Sequence, residues 1–378
     1  MAEPFKNLIR KEVVVAMASH LRRVSPAFPK RSFVERASHG LDALELKARV
    51  AHVADSLAEA LPASFEKSVA VLEKSLAPAR ADDDLGKLVI SEGGLAGWAI
   101  WPMTDYVARY GLAHPARALR ALRLMTQRNT AEYAIRPFLV EHNERTMREL
   151  KKWLTDKSPH VRRLVSEGTR PRLPWGMQLK SLMADPSPSL PLLEALQDDP
   201  SAYVRRSVAN HLNDIAKDHP DVVAAWVARF LPAADANREA LLRHASRTLI
   251  KKADRKVLSL WGLGKALRGE ADLRITPRRP ALGSTMELSV VLRSTAKQAQ
   301  DLVVDYVVHH VRKAGTTSAK TWKGWRCKLA VGEERALTKR HSWKPVTTRR
   351  DYPGLHRVEL VINGSIVATD EVKIVPSH

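Results

Sequence analysis

The sequence predicts a mainly α fold: an α-solenoid over residues 1–270, followed by a small all-β sandwich over residues 271–378. Three observations predict it. Apolar residues recur at helical spacing from Phe5 to about Leu267. Within that span, helices come in pairs that share a repeated core. After Gly269 the pattern changes to alternating and β-branched runs, ending in an Asn-Gly turn between two strand-like segments.

LKARVAHVADSLAEAL (46–61) and SFEKSVAVLEKSL (64–76) are alanine- and leucine-rich and amphipathic, and read as helices. SLAPARADDDLG (75–86) breaks the period with proline, charge and glycine and reads as a surface loop. Helix pairs follow. RALRALRLMTQ precedes TAEYAIRPFLVEH, RTMRELKKWLTD precedes PHVRRLVSEG, and SLPLLEALQDD precedes SAYVRRSVANHLNDIAKD. Two of these pairs share visible grammar. Trp153-Leu154 and Asp156 lead to Val161-Arg162-Arg163, as Leu196 and Asp199 lead to Val204-Arg205-Arg206. An apolar helix, an Asp-Pro or Ser-Pro corner and a Val-Arg-Arg helix start describe HEAT-like repeats. DVVAAWVARFL and NREALLRHASRTLIKK continue the rhythm.

In the C-terminal part, MELSVVLR (286–293) alternates and LVVDYVVHHV (302–311) is β-branched. GLHRVELVINGSIVATDEVKIV (354–375) alternates on both sides of Asn363-Gly364, a hairpin signal. Several short strands in about 100 residues fit an immunoglobulin-like sandwich, with a short barrel as the competing architecture.

The net charge of +21 and pI near 10.2 bias the surface toward polyanions, nucleic acid first among them. Both parts are basic: residues 272–378 hold 19 Lys and Arg against 10 Asp and Glu. One cysteine, Cys327, excludes an intrachain disulfide and a cysteine-rich zinc site. No apolar run approaches the roughly 20 residues of a membrane span, and MAEPFKNLIRKEVV lacks a signal-peptide core. The expectation is a soluble cytoplasmic monomer, nucleoid-associated, without metal or cofactor. The fourteen histidines show no metal spacing, and no Gly-rich phosphate loop, HExxH or serine elbow is present.

Val-Arg-Arg helix starts would present arginine forks and free N–H groups to phosphates. The candidate phosphate contacts are Arg162, Arg163, Arg170, Arg172, Arg205, Arg206, Arg243 and Arg247, with Lys251 and Lys252. Adjacent helical residues diverge by about 100°, so the two arginines of each pair face differently. Trp98 and Trp101, three apart around a helix junction, read as core. Trp175 ends the arginine-rich RPRLPW loop, where no periodicity requires an aromatic, and is free to offer its face to a base, sugar or cation. Glu132, just inside an expected helix start, and Glu167, one repeat later, are equally well read as helix-end charges or ion pairs.

The stretch from Trp98 through AEYAIRPF, then HVRRLVSEGTRPRLPW, then YVRRSVANHLNDIAKDHP, resembles the AlkC-type DNA alkylation-repair glycosylases, within the HEAT-like-repeat alkylpurine glycosylases. The resemblance spans almost all of the helical region, and some members of that family carry a C-terminal immunoglobulin-like domain. It implies hydrolysis of the N-glycosidic bond of small cationic lesions in double-stranded DNA, N3-methyladenine first and N3-methylcytosine second, in base excision repair. It places the family's active-site pattern on Glu132, Glu167, Trp175 and Asp214, with Asn213 and Asp218 as neighbours of the last in the same helix. It further implies lesions exposed by bending the duplex, with full base flipping as the rival. The competing function is a non-catalytic repeat protein that binds distorted DNA or RNA and needs neither glutamate.

Overall fold

The computed structural model describes residues 5–252, 254–312, 314–344 and 351–376. The chain forms two compact units: Met1–His219 with Ala233–Ala245, and Pro220–Pro232 with Ser246–His378.

The first unit is helical. It opens with Lys11–Val24 (α1), Lys30–Ser38 (α2), Leu46–Ala60 (α3) and Phe65–Lys74 (α4). In α1 the buried residues Val14, Met17, Ala18 and Leu21 follow the i, i+3, i+4, i+7 stripe, as do Val50, Val53, Ala54 and Leu57 in α3. The α4 start is capped by Ser64, whose hydroxyl accepts the Lys67 N–H. Arg49 of α3 is fully enclosed yet satisfied, donating to the carbonyls of Ile9, Leu44 and Asp42 at 2.9 to 3.1 Å. Residues 75–84 form an irregular connection, as their composition predicts. Ile100–Tyr110 (α5) and Pro115–Met125 (α6) follow.

The repeat region continues with Arg136–Glu141 (α7), Asn143–Trp153 (α8), Pro159–Gly168 (α9), Lys180–Ala184 (α10), Leu190–Leu196 (α11) and Ala202–Asp218 (α12). The shared grammar has a shared structure. Asp156 and Asp199 each accept the backbone N–H two residues on, Ser158 at 2.8 Å and Ser201 at 2.9 Å, and so turn the chain into the next helix. The first arginine of each Val-Arg-Arg donates back to the carbonyl of its own corner aspartate. The Arg162–Asp156 bond is 2.7 Å and the Arg205–Asp199 bond 2.6 Å. Each also reaches the next repeat: Arg162 grips Asp199 in two bonds of 2.6 and 2.9 Å, and Arg205 donates to Asn237. Arg123 of α6 does the same to Asp156 at 2.7 Å. A ladder of arginines thus ties successive repeats together.

Two local features depart from the sequence reading. Glu132 lies in a turn, and α7 begins only at Arg136, with Pro137 in its first turn, a position where a missing N–H costs nothing. The stretch 237–252 is broken at Ser246 into Ala236–Ala245 (α14) and Arg247–Lys251 (α15). Of these, α14 packs on α12 in the first unit.

The second unit combines Pro220–Phe230 (α13), α15 and Arg255–Leu260 (α16) with seven strands among the described residues. The strands are Gly269–Thr276 (β1), Thr285–Ser294 (β2), Gln300–Val311 (β3), Thr317–Leu329 (β4), Glu334–Ser342 (β5), Gly354–Ile362 (β6) and Ser365–Ile374 (β7). They form two antiparallel sheets, β1-β2-β5 and β4-β3-β6-β7. Inward residues alternate as the pleat demands: Met286, Leu288, Val290 and Leu292 on β2 face Val304, Tyr306 and Val308 on β3 across a core that encloses Trp343. The β6–β7 hairpin turns at Asn363 and Gly364, both with positive φ of 49° and 88°, as the Asn-Gly pair predicts. The Asn363 side chain also accepts the Val303 N–H and donates to the Lys265 carbonyl, both at 2.9 Å. Among the described residues no helix is long and apolar enough to cross a membrane, and no group of three metal-ligating side chains converges.

Candidate active site

The first unit gathers three buried carboxylates and their cations into one chain of contacts. On α9, Arg163 and Glu167 are one turn apart and share a face. On α12, Ser207, His211 and Asp214 recur at i, i+4 and i+7 and face α9. Glu132 joins from the turn before α7. Its Oε2 accepts Thr130 Oγ1 at 2.6 Å and an Arg163 nitrogen at 2.8 Å. Arg163 also approaches Glu167 Oε1 at 3.4 Å and lies 4.8 Å from the centre of the Tyr203 ring. Glu167 Oε1 takes Arg170 at 2.6 Å, and its Oε2 takes Ser207 Oγ at 2.6 Å. Arg170 then reaches Asp214 Oδ2 at 2.8 Å, while Lys217 donates to Oδ1 at 2.8 Å. Gly168 permits the close approach of the α9 end to the Glu132 turn. A Cβ there would stand 2.7 Å from an Ile135 methyl.

Burial pushes the Glu167 carboxyl upward, but Arg163, Arg170 and the Ser207 hydroxyl together outweigh it and hold the pKa below the ordinary value, so the group is an anion near neutrality. The same contacts raise Arg163 and Arg170 against their own desolvation. Desolvation, with Glu132 and Glu167 adding to it, pushes Tyr203 up to about 12. The network therefore pairs three carboxylates with Arg163, Arg170 and Lys217.

His211 is fully enclosed. Its Nδ1 donates to the Ser166 carbonyl at 3.0 Å, and desolvation lowers its pKa from 6.5 to about 4. A histidine held neutral in the fold but free to protonate when unfolded makes stability fall as pH drops. Between pH 6.5 and 4 the unfolded chain binds the proton and the native chain does not, which costs about 3 kcal/mol at the low end. His211→Asn, which keeps a donor for Ser166, is expected to remove this part of the acid destabilisation. Urea midpoints of both proteins at pH 7.5 and pH 4.5 measure it, and an unchanged pH dependence refutes the assignment.

Trp175 stands apart from the network's hydrogen bonds. It is 57 % exposed and adopts φ 62°, a conformation that is costly for a bulky residue and that the surrounding contacts must hold. Phe5 meets its ring edge-on at 6.4 Å, and Lys47 donates to its carbonyl. Its loop is pinned by Arg136, which is fully buried and donates to the carbonyls of Gly168 at 2.9 Å and Met177 at 2.6 Å. Desolvation and the nearby Arg170 lower the Arg136 pKa to about 10, so it stays charged. Trp101 is core, as its spacing predicts, and stacks on Tyr133 at 5.0 Å. Trp98 departs from that expectation, lying 37 % exposed beside Trp101.

The basic candidates separate into classes. Arg162 and Arg205 belong to the inter-repeat ladder, and Arg163 and Arg170 to the carboxylate network. Arg172 is in two bonds to Asp218, at 2.8 and 2.7 Å. Arg206, whose side chain diverges from that of Arg205, is exposed, as are Lys251 and Lys252; Arg243 and Arg247 are half-buried. Of the neighbours of Asp214, Asn213 is buried and Asp218 takes Arg172. Arg136, Ser207, Tyr203 and His211 were not singled out from the sequence. Arg136 and His211 have apolar neighbours that gave them no periodic signal, and Ser207 matters only because α12 sets it against Glu167.

Residues 125–252 match the family described as DNA alkylation repair enzyme, and residues 270–376 match the C-terminal Ig-like domain of the uncharacterised protein YhaZ. The chain is 35% identical over 363 residues to the uncharacterized protein YhaZ of Bacillus subtilis (strain 168), covering 96% of each. It superposes with a TM-score of 0.89 and 34% identity on the alkylpurine DNA glycosylase AlkC of Pseudomonas fluorescens, solved with DNA containing an abasic site analog, over 99% of this chain and 100% of that one. Matched over nearly all of both chains at this identity, the chain belongs to the AlkC-type DNA alkylation repair family and has the fold of an alkylpurine DNA glycosylase.

Proposed function

We propose that the protein hydrolyses the N-glycosidic bond of small cationic alkylated bases in double-stranded DNA, N3-methyladenine first and N3-methylcytosine second. An N3-alkylated adenine already carries positive charge and departs as a neutral base, so the reaction needs no general acid. The barrier lies in the sugar, which becomes oxocarbenium-like as the bond stretches. Glu167 is assigned to stabilise that charge, and Glu132 to share in holding the attacking water. A carboxylate offers about four lone-pair positions. Glu167 accepts hydrogen bonds in two of them, from Arg170 and Ser207, with Arg163 3.4 Å away as an ion-pair partner. A remaining direction is assigned to sugar or water.

In this reading Asp214 is a positioning residue that holds Arg170 against Glu167, and Trp175 stacks on the sugar or the cationic base. The exposed cations Arg206, Lys251 and Lys252 hold phosphates, with Arg172, Arg243 and Arg247 as further contacts. Arg162, Arg163, Arg170 and Arg205 act from within the protein, because carboxylates and carbonyls already occupy their forks. The division into a HEAT-like catalytic domain over 1–270 and a DNA-holding sandwich over 271–378 is part of the proposal, as is action as a monomer on the chromosome in the cytoplasm.

The observation that carries the reading is a buried glutamate kept ionised by two arginines in a chain of this family. Incubating the protein with methylated duplex DNA and resolving the released bases tests it. N3-methyladenine is expected among the products, and no release of any base would leave only the non-catalytic binding reading.

A further inference from the structure

Apart from the carboxylate network, a cavity of about 1120 Å³ opens in the first unit where α6 and α8 meet the corner 155–158 and residues 79–81. Its walls hold seven cationic side chains and two carboxylates. Both carboxylates are engaged: Glu149 with Lys152 at 2.7 Å, and Asp156 with Arg123 at 2.7 Å. Arg80 is paired with Asp82. Arg148 makes only a 3.7 Å approach to Glu144. The side chains of Arg120, Arg145 and Lys157 are exposed and make no ion pair or hydrogen bond among the described residues.

Unpaired like charges around one basin repel each other, and a bound polyanion removes that repulsion. Their placement suits a linear one. Arg145, Arg148 and Lys152 recur at i, i+3 and i+7 along α8, a span of about 10 Å. A duplex strand carries a phosphate every ~3.4 Å of its axis, so about three phosphates lie alongside. The aromatic in the wall, Trp153, is only 4% exposed and offers no face on which a base could stack. Such a surface recognises backbone charge and not sequence. We propose that the basin grips the sugar–phosphate backbone of the duplex flanking the lesion, as a second DNA contact separate from the carboxylate site. Ser158 in its wall, the N-cap residue of α9, and Glu167 near the other end of that helix lie nine residues apart, about 14 Å along it, so the two sites are within reach of one duplex. The inference rests on DNA being the substrate and adds a contact that the catalytic reading does not need.

The test combines Arg120→Glu, Arg145→Glu and Lys157→Glu in one variant. A control variant carries Lys11→Glu, Lys67→Glu and Lys74→Glu, three exposed lysines outside the basin. Each is titrated, after its melting curve confirms folding, with a hairpin-closed duplex of about 6 base pairs, which ends about 10 Å from its lesion, and an open duplex of about 30, each bearing a central abasic analogue, at several salt concentrations. Wild type and control are expected to bind the long duplex more tightly than the short one. The basin variant is expected to lose that gain, weakening on the long duplex by about tenfold or more while the short one is little changed, and its log–log salt slope falls by about 3. Equal losses on both lengths, equal losses in the control, no loss, or binding of a second short duplex in place of the flank would each overturn the proposal. Excision from the short methylated duplex reports the carboxylate site separately. Failure there sinks the catalytic reading and leaves the length dependence to be judged alone.

Discussion

Glu167→Gln is expected to lower the rate of N3-methyladenine release by about 10²–10³-fold, the size of effect seen when one charge-stabilising group is removed from a transition state. The amide is nearly isosteric. Its oxygen can still accept from Arg170, and its nitrogen can donate to Ser207 Oγ, so the fold should persist. What changes is charge. With Glu167 neutral, Arg163 and Arg170 leave an excess of positive charge where the sugar is becoming cationic. DNA affinity should hold or rise slightly, because the surface gains a positive charge. Single-turnover excision and binding to an abasic-analogue duplex measure the two effects. A variant that excises at the wild-type rate would remove Glu167 from the chemistry while leaving the glycosylase reading to wild type. Loss of binding in parallel with loss of excision would show damage to the fold.

Arg163→Met is expected to destabilise the first unit by about 3–5 kcal/mol, the usual cost of removing one partner from a buried charge pair. Arg163 lies between Glu132 and Glu167, whose side chains are 9% and 6% exposed, and its loss sets two buried anions against each other. Methionine replaces the stem but neither hydrogen bond to the Glu132 turn. The sign of the pH dependence follows. Without the arginine the folded-state carboxyl pKa rises above its unfolded value, so the native chain takes up a proton more readily as pH falls. The deficit should therefore be largest above pH 7 and shrink toward pH 5. Urea unfolding of wild type and variant across that range measures it. A deficit that is constant with pH would mean that packing, and not the paired carboxylates, gives Arg163 its weight.

The ladder shows how far local pattern carries. Val-Arg-Arg repeated after an Asp corner made the helix pairs legible, and even the divergence of the two arginines follows from helical geometry. The destinations of those arginines do not. Arg162 reaches an aspartate 37 residues later and Arg163 a glutamate 31 residues earlier. Both look identical to Arg205 and Arg206 in the sequence, yet Arg206 remains exposed.

The sequence by itself determined the mainly α class, the change to strands after Gly269, the Asn363-Gly364 hairpin and the basic character. All of these rest on local period, turn chemistry and summed charge, which need no knowledge of distant contacts. Trp175 stood out as an aromatic that no periodicity requires, whereas Glu132, Glu167 and Asp214 were legible only through family resemblance, because an isolated carboxylate beside cations is equally a surface ion pair. Tertiary structure decided that these acids lie buried along one chain of cations, that Arg163 and Arg170 serve carboxylates before phosphates, and that Arg136 pins the Trp175 loop. The reason is physical. Burial turns an exposed ion pair of little consequence into a fixed charge whose protonation state and direction are set, and burial depends on α9, α12 and the Glu132 turn packing together from three separate stretches of chain.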